Sequence, residues 1–396
     1  MLEPAQKGSR VYQLVENMKS DKALFFYRGS VALYALLRAM EIEPGDEVIL
    51  QSFTCDIVPA TIVRAGGTPV YVDIDPTTFN MNPDEMEERI TKKTRAIIVQ
   101  HTYGIPAEMD SIIDIAQEHD LGVIEDSCHA WGSAYGGREV GTFGDAAFYS
   151  FGWHKPFVLG VGGSAIVNDP VLLQKTEEVY DSFITPSCKK AIKLYLQYLA
   201  YVWFLNPSRF WSARAVYREF SHRGLRGLVG SPPPRSRTAT STEGKPGGGM
   251  GPYGRRMIPF QKRRLYRKLK GFDRAVAHKR WVASQYERLL PQIGYQPLNL
   301  DSRFDPVFYK YPLLSDRKGE IFEQAPQARI ELSYLFSSPV DSRKPRFAAR
   351  WRALGYRKGM CPVAEDIADR VVALPVHSNV RPKDLEKMVD FLGSFR

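Results

Sequence analysis

The sequence predicts an α/β protein: a mostly parallel sheet sandwiched by helices in a large domain, followed by a smaller α+β domain. Three observations carry this expectation. Short runs rich in Val, Ile, Phe and Tyr alternate with helix-like runs from Glu47 to Val167, composition changes sharply in a Pro, Gly and Ser-rich stretch near residues 230–256, and a long amphipathic run follows it. In chain order the expected strands are Glu47–Gln51, Pro69–Asp73, Ala96–His101, Gly122–Asp126, Ala146–Phe151 and Ser164–Val167. A helix is expected from Ser30 to about Met40. Asn82–Ile90 opens with Asn-Pro and an acidic first turn, and Met109–Glu118 has apolar residues at helical spacing. Alternating βα units put ligands at the carboxyl ends of the strands. Pro259–Leu290 reads as one helix or two, then strands Phe308–Leu314 and Val371–Pro375, then a helix over Pro382–Phe391. The expected divisions are a large α/β domain over 1–185, a basic aromatic insertion over 186–256 and a small α+β domain over 257–396.

At about 150 residues per domain, 396 residues give two or three domains with ample core. With 44% hydrophobic and 25% charged residues the chain reads as an ordinary soluble globular protein, neither disordered nor an integral membrane protein. Cys55, Cys128, Cys188 and Cys361 form no CxxC pair, so neither a zinc site nor a disulfide framework is indicated. The first residues are polar with no apolar leader, so the expected compartment is the cytoplasm.

The net charge of +10 is unevenly spread. From Lys189 to Arg280 there are 22 Lys and Arg against Glu219, Glu243 and Asp273, a net +19, leaving −9 on the rest of the chain. This segment opens with the apolar, aromatic run Leu194–Leu205, interrupted by Gln197, followed by Arg209, Arg214, Arg218, Arg223 and Arg226 among Phe210, Trp211, Tyr217 and Phe220. The run is shorter than the roughly 20 residues a spanning helix requires, so it reads either as an interfacial helix or as one packed on the protein itself. Peripheral contact with an anionic membrane through residues 193–226 is expected, and nucleic acid is not, because the aromatics cluster instead of lining an evenly basic groove.

The chemistry concentrates between Val123 and Gly163. One strand ends on Glu125 and Asp126, and another on Ser150 and Phe151, with Lys155 and a glycine-rich turn close behind. A carboxylate and a lysine at neighbouring strand ends suit pyridoxal phosphate: the lysine forms the imine, and the carboxylate keeps the pyridine nitrogen protonated. Arg28, Gly29, Ser30 and Val31 open a helix whose small residues expose backbone N–H groups and a hydroxyl, a phosphate-binding arrangement.

These pieces resemble the DegT/StrS family of PLP-dependent nucleotide-sugar aminotransferases over roughly residues 22–185 and from 255 to the end. The motifs are GlySerValAlaLeu at 29–33, GlyAspGluValIle at 45–49, SerPheThr at 52–54, GlyGlyThrProValTyrValAspIleAsp at 66–75 and HisThrTyrGlyIlePro at 101–106. GluAspSerCysHisAla at 125–130, SerPheGlyTrpHisLys at 150–155, CysProValAlaGluAsp at 361–366 and AlaLeuProValHis at 373–377 follow in the same order. The resemblance implies a fold type I aminotransferase with Lys155 as Schiff-base lysine and proton carrier. It further implies Asp126 at the pyridine nitrogen, and Gly29, Ser30, Val31 and Ser150 around the phosphate. A related dehydratase branch carries histidine at the lysine position; here His154 falls one residue early. His129 stands where the family usually has glutamine, and Cys55 where it has a ring-stacking aromatic. Gly254 replaces an asparagine that reaches the neighbouring subunit's phosphate, which leaves Arg255 or Arg256 as substitutes. The expected activity is transfer of an amino group, from glutamate as amino donor, to a keto-sugar on a nucleotide or lipid carrier, by a homodimer, in amino-sugar or polysaccharide biosynthesis. The alternatives are a PLP enzyme acting on a non-nucleotide substrate or as a sugar dehydratase, and a PLP-binding regulator.

Overall fold

Strand ends determine where chemistry can occur in this fold, so the sheet is the starting point. The computed structural model describes residues 12–153, 155–204, 251–332 and 351–396. His154, the arginine-rich stretch from Arg209 to Arg226 and the linker up to Met250 lie outside the described residues. The chain lays down β1 (Ala23–Phe26), β2 (Glu47–Gln51), β3 (Thr68–Val72), β4 (Thr94–Gln100) and β5 (Gly122–Asp126). A small hairpin of β6 (Ala134–Tyr135) and β7 (Arg138–Glu139) comes next, then β8 (Ala146–Ser150) and β9 (Gly163–Val167). Seven of these form one sheet in the order β1-β9-β8-β5-β4-β2-β3. From β8 through β3 the neighbours are parallel, while β9 runs against both β8 and β1.

The central strands are buried on both faces, which is why they read as continuous apolar runs without alternation. The helix Gly29–Ala39 buries Val31, Ala32, Leu33, Ala35, Leu36 and Leu37 against the sheet. Asn82 caps the helix Pro83–Glu88 by accepting from the Asp84 and Glu85 N–H groups, as its Asn-Pro start predicts. The sequence reading passed over β1 and the helix Ile57–Ala65. The first is only four residues long, and its partner β9 is remote in sequence. The second carries several β-branched residues and is ended by Gly66 at φ 114°. The outer edge of β1 is covered where Phe26 bridges to Arg256 and the Met257 N–H donates to the Phe25 carbonyl at 2.9 Å.

The run over 259–290 is two helices, Pro259–Leu269 and Phe272–Leu289, separated at Gly271. Beyond them β10 (Phe304–Asp305) joins β6, and β11 (Lys310–Leu314) pairs antiparallel with β12 (Val371–Pro375). The helices Lys318–Gln324, Pro362–Arg370 and Pro382–Gly393 complete this α+β part. Two joints fix it to the sheet. Asp73, just past β3, accepts from the Val363 and Ala364 N–H groups at 2.8 Å each, a carboxylate at a positive helix end. At the other joint the Tyr309 N–H donates to the Tyr103 carbonyl at 2.7 Å, and Ser133 Oγ donates to the Gly104 carbonyl while accepting from the Val307 N–H.

Gly104 adopts φ +94°, and a Cβ there would sit 2.3 Å from the Val307 carbonyl oxygen. Strain and overpacking then act together, so Gly104→Ala is expected to destabilise the protein by about 2 kcal/mol or more. A shift of the denaturant midpoint below 0.5 kcal/mol (about the noise of a neutral surface change) would contradict this joint.

Candidate active site

Because the parallel strands share one direction, Gln51, Gln100, Asp126 and Ser150 all end on the same edge of the sheet. Adjacent residues at a strand end face opposite sides, and this separates two carboxylates of different character. Glu125 is fully buried. It accepts from the Gly141, Phe143 and Gly144 N–H groups at 2.6, 2.7 and 2.8 Å and from His101 Nε2 at 3.0 Å. His101 Nδ1 accepts from the Ala107 N–H, so its proton resides on Nε2 and is donated to Glu125. This carboxylate organises the loop after β7. Asp126, 6% exposed, accepts from the Cys128 N–H at 3.1 Å and from the Cys128 thiol, and makes no ion pair among the described residues.

Lys155 follows β8 in a turn in which its N–H donates to the Gly152 carbonyl. Its Nζ lies 2.9 Å from His129 Nε2. Burial, together with the Lys155 and Lys279 ammonium groups, holds His129 well below the ordinary imidazole range. The ring is therefore neutral, with Nε2 accepting from Lys155 and the proton on Nδ1. Tyr309 stacks on the same ring, with centroids 4.7 Å apart and planes 20° from parallel.

Cys55 lies close enough to Lys155 and Asp126 to feel both charges, and Cys128 feels the same pair. Burial and the neighbouring Asp56 push the Cys55 thiol up to about 11, and burial holds Cys128 well above the ordinary thiol range, so both act as small apolar groups.

The helix Gly29–Ala39 begins directly on the end of β8. A Cβ on Gly29 would lie 2.8 Å from Ser150 Cβ, and one on Gly163 would lie 2.3 Å from the Gly29 nitrogen. Only glycines permit this approach, which brings the first N–H groups of the helix beside Ser150 Oγ; the Val31 N–H already donates to the Arg28 carbonyl at 3.1 Å. Gly152 completes the connection, since a Cβ there would be 3.8 Å from both Ser150 Oγ and Lys155 Cγ. The structure thus brings together Asp126, Lys155, His129 and Cys55, and sets Gly29, Ser30, Val31 and Ser150 beside them.

Arg256 is engaged elsewhere, with Asp181 at 2.9 Å and the Tyr180 carbonyl. Arg255 keeps a buried Nη1 without a hydrogen-bond partner among the described residues. Sequence reasoning missed Tyr309, Lys279 and Lys310 near the site. Lys279 carried a legible signal: it occupies the apolar stripe of its helix with Val276, Val282, Ala283 and Tyr286.

A seven-stranded α/β sheet with a lysine, a buried carboxylate and a helix N-terminus at one edge defines the class, a fold type I aminotransferase. The chain belongs to the DegT/DnrJ/EryC1/StrS aminotransferase family, matched over residues 12–193 and 237–393. It is 30% identical over 372 residues to a "Pleiotropic regulatory protein" of Geobacillus stearothermophilus, covering 93% of this chain and 83% of that one. It is 42% identical over 147 residues to GDP-perosamine synthase of Escherichia coli O157:H7, 37% of this chain and 40% of that one. The structure of S. venezuelae DesV in complex with a ketimine intermediate superimposes with a TM-score of 0.72 at 24% identity, covering 96% of this chain and 86% of that one.

The family implies pyridoxal phosphate, and the residues present fit it. The glycine-lined helix start is suited to an anion, Asp126 is a buried carboxylate with no ion pair among the described residues, and Lys155 Nζ has a neutral imidazole as its neighbour.

The depressed His129 makes stability pH-dependent. The unfolded imidazole binds a proton near pH 6.5 and the folded one does not, so stability falls as pH drops through 6.5. Wild-type apoprotein is expected to lose about 1 kcal/mol more than His129→Gln between pH 7.5 and 5.5. Parallel denaturant midpoints for the two proteins over that range would refute the neutral assignment.

Proposed function

We propose that this protein transfers an amino group, with glutamate as donor, to a keto-sugar held on a nucleotide or lipid carrier, in amino-sugar or glycoconjugate synthesis. The observation that supports it most is Lys155 Nζ resting on neutral His129, with Asp126 ending the adjacent strand. The perosamine synthase relative supports a sugar as acceptor. The retained lysine favours reversible amino transfer over the dehydratase alternative, and favours turnover over the purely regulatory role that one relative's name suggests.

When bound, the cofactor supplies an electron sink conjugated to the substrate nitrogen. Lys155 would hold its carbonyl carbon and later carry the proton between Nζ and the substrate carbon. His129 Nε2 keeps Nζ in place, and Tyr309 keeps the imidazole in plane. Asp126 would hold the ring nitrogen protonated. The Gly29 and Ser30 N–H groups, with Ser150 Oγ, would bind the phosphate, the Val31 N–H being bonded to the Arg28 carbonyl, and Cys55 would take the aromatic's place against the ring. Arg255, with its open Nη1, is the better placed of the two arginines to reach a partner subunit's phosphate.

Borohydride reduction of the holoenzyme followed by peptide mapping is expected to put the pyridoxyl label on Lys155. A label on another lysine, or none, would overturn the assignment. Lys155→Ala is expected to abolish transfer, and Asp126→Ala to lower kcat by several orders of magnitude.

The carrier reading rests on the helix Cys188–Phe204, at the start of the basic segment. Ile192, Tyr195, Leu196 and Leu199 are 45–60% exposed and recur at helical spacing on one face, beside Lys189, Lys190 and Lys193. The helix is tied to the site's rim, because Tyr198 stacks on Trp153, two residues before Lys155, and takes Arg264 on its ring. No described helix is long and apolar enough to cross a membrane. An anionic lipid surface fits this face: each lysine contributes about 1 kcal/mol there, screened by salt, and each buried apolar side chain adds about 1.5–3 kcal/mol that salt does not weaken. Flotation of the homodimeric holoenzyme with anionic vesicles is expected to be lost on replacing Ile192, Leu196 and Leu199 together by Ser, with sedimentation still giving a dimer mass. Unchanged flotation would dismiss the lipid, and a monomer mass would make this face a subunit interface.

A further inference from the structure

The helices Cys188–Phe204 and Pro259–Leu269 lie side by side, and two contacts fix how. The Tyr195 ring meets Phe260 edge-on with centroids 5.7 Å apart, and the Arg264 guanidinium carbon stands 3.0 Å from the centroid of the Tyr198 ring. A step of three residues on the first helix thus matches a step of four on the second, advances of about 4.5 and 6 Å in the same direction. The two helices therefore run parallel and in contact.

The second helix carries Lys262, Arg263, Arg264, Arg267 and Lys268 within eleven residues and no Asp or Glu, with Lys270 directly after it. Its buried residues are Gln261, Leu265 and Leu269, each a helical turn from the next. At 100° per residue, Arg263, Arg267 and Lys270 fall on the side opposite that stripe, and all three are exposed. None of them meets a carboxylate among the described residues. On the neighbouring helix Ile192, Leu196 and Leu199, 45–60% exposed, form the outward row. An apolar row and a row of cations without counter-ions thus stand next to each other on one surface.

We propose that the two helices form one docking face for an anionic bilayer. Ile192, Leu196 and Leu199 enter the boundary between headgroups and acyl chains, while Arg263, Arg267 and Lys270 bind the headgroup phosphates above it. The proposal rests on the lipid reading of the first helix and adds to it the second, which supplies the electrostatic half. Other occupants match only one row. A second copy related by a two-fold axis would set cations against cations with no carboxylate between them, and duplex nucleic acid would leave the apolar row without a partner.

This face has a fixed relation to the chemistry. Tyr198 stacks on Trp153 with centroids 6.4 Å apart, and a Cβ on Gly160 would lie 2.8 Å from the Trp153 ring, so Trp153 is held between that glycine and the first helix. Trp153 belongs to the turn that carries Lys155. Docking on this face puts that turn on the lipid side of the enzyme, where a sugar on a lipid carrier would be presented.

The test is flotation of the PLP-loaded enzyme with vesicles of phosphatidylcholine alone or with about one-third phosphatidylglycerol, at low and at high salt. Wild type is expected to float only with the anionic vesicles. The triple variant Arg263→Gln, Arg267→Gln, Lys270→Gln is expected to bind them about a hundredfold more weakly at low salt, from about fivefold per cation, with the difference shrinking as salt rises. Arg263→Lys with Arg267→Lys is expected to stay within about threefold of wild type, because the surface reads charge and not guanidinium geometry. Affinity of the Gln variant within about threefold of wild type would overturn the proposal. If the Ser variant of Ile192, Leu196 and Leu199 no longer floats in that case, the lipid reading of the first helix stands without the second. Wild type that floats with neither vesicle would overturn both, and retention on duplex DNA at a salt that releases the vesicles would assign the cations to nucleic acid and overturn the proposal. Borohydride labelling of Lys155, expected unchanged in every variant, separates these outcomes from loss of the fold or of the cofactor.

Discussion

The site depends on one close approach of backbone, the meeting of Gly29, Gly163 and the end of β8. An added methyl at Gly163 would fall 2.3 Å from the Gly29 nitrogen, so the helix Gly29–Ala39 can start at the sheet edge only because neither position has a side chain. From this contact follow the place of the N–H cradle, the neighbourhood of Ser150, and the departure of the turn that carries Lys155. The antiparallel β9 supplies Gly163 between β1 and β8, which gives the lone reversed strand of the sheet a reason.

Burial then assigns a different role to each charged group along this edge. Glu125 and Asp126 are chemically alike and adjacent, yet strand pleating gives one of them three backbone N–H groups and a histidine and leaves the other with the N–H and thiol of Cys128. The first carboxylate holds a loop; the second shares its surroundings with Cys55 and Lys155. His129 accepts from Lys155 while burial first, and the Lys155 and Lys279 charges after it, keep its ring neutral.

The exposed face of Cys188–Phe204 inverts the usual pattern of a surface helix, with apolar side chains outward and Tyr198 tied inward to Trp153 and Arg264. That contact couples a surface feature to the turn that carries Lys155, because Trp153 and Lys155 belong to the same few residues.

Much of this was legible in the residues alone. The strands around the site and the helices over 29–39, 83–88 and 109–118 follow from apolar runs, caps and spacing, which are local properties, and Asp126, Ser150 and Lys155 could be singled out because strand ends carry chemistry in wound sheets. β1 and β9 were harder to pair because their contact closes across 142 intervening residues, as Ala23 opposite Ile166 illustrates, and nothing local encodes it. The proximity of Tyr309 to His129 and the shared neighbourhood of Cys55 and Asp126 were decided only by the tertiary structure. Electrostatics and burial act through space, and residues distant in sequence set the surroundings that make one lysine a surface charge and another a site.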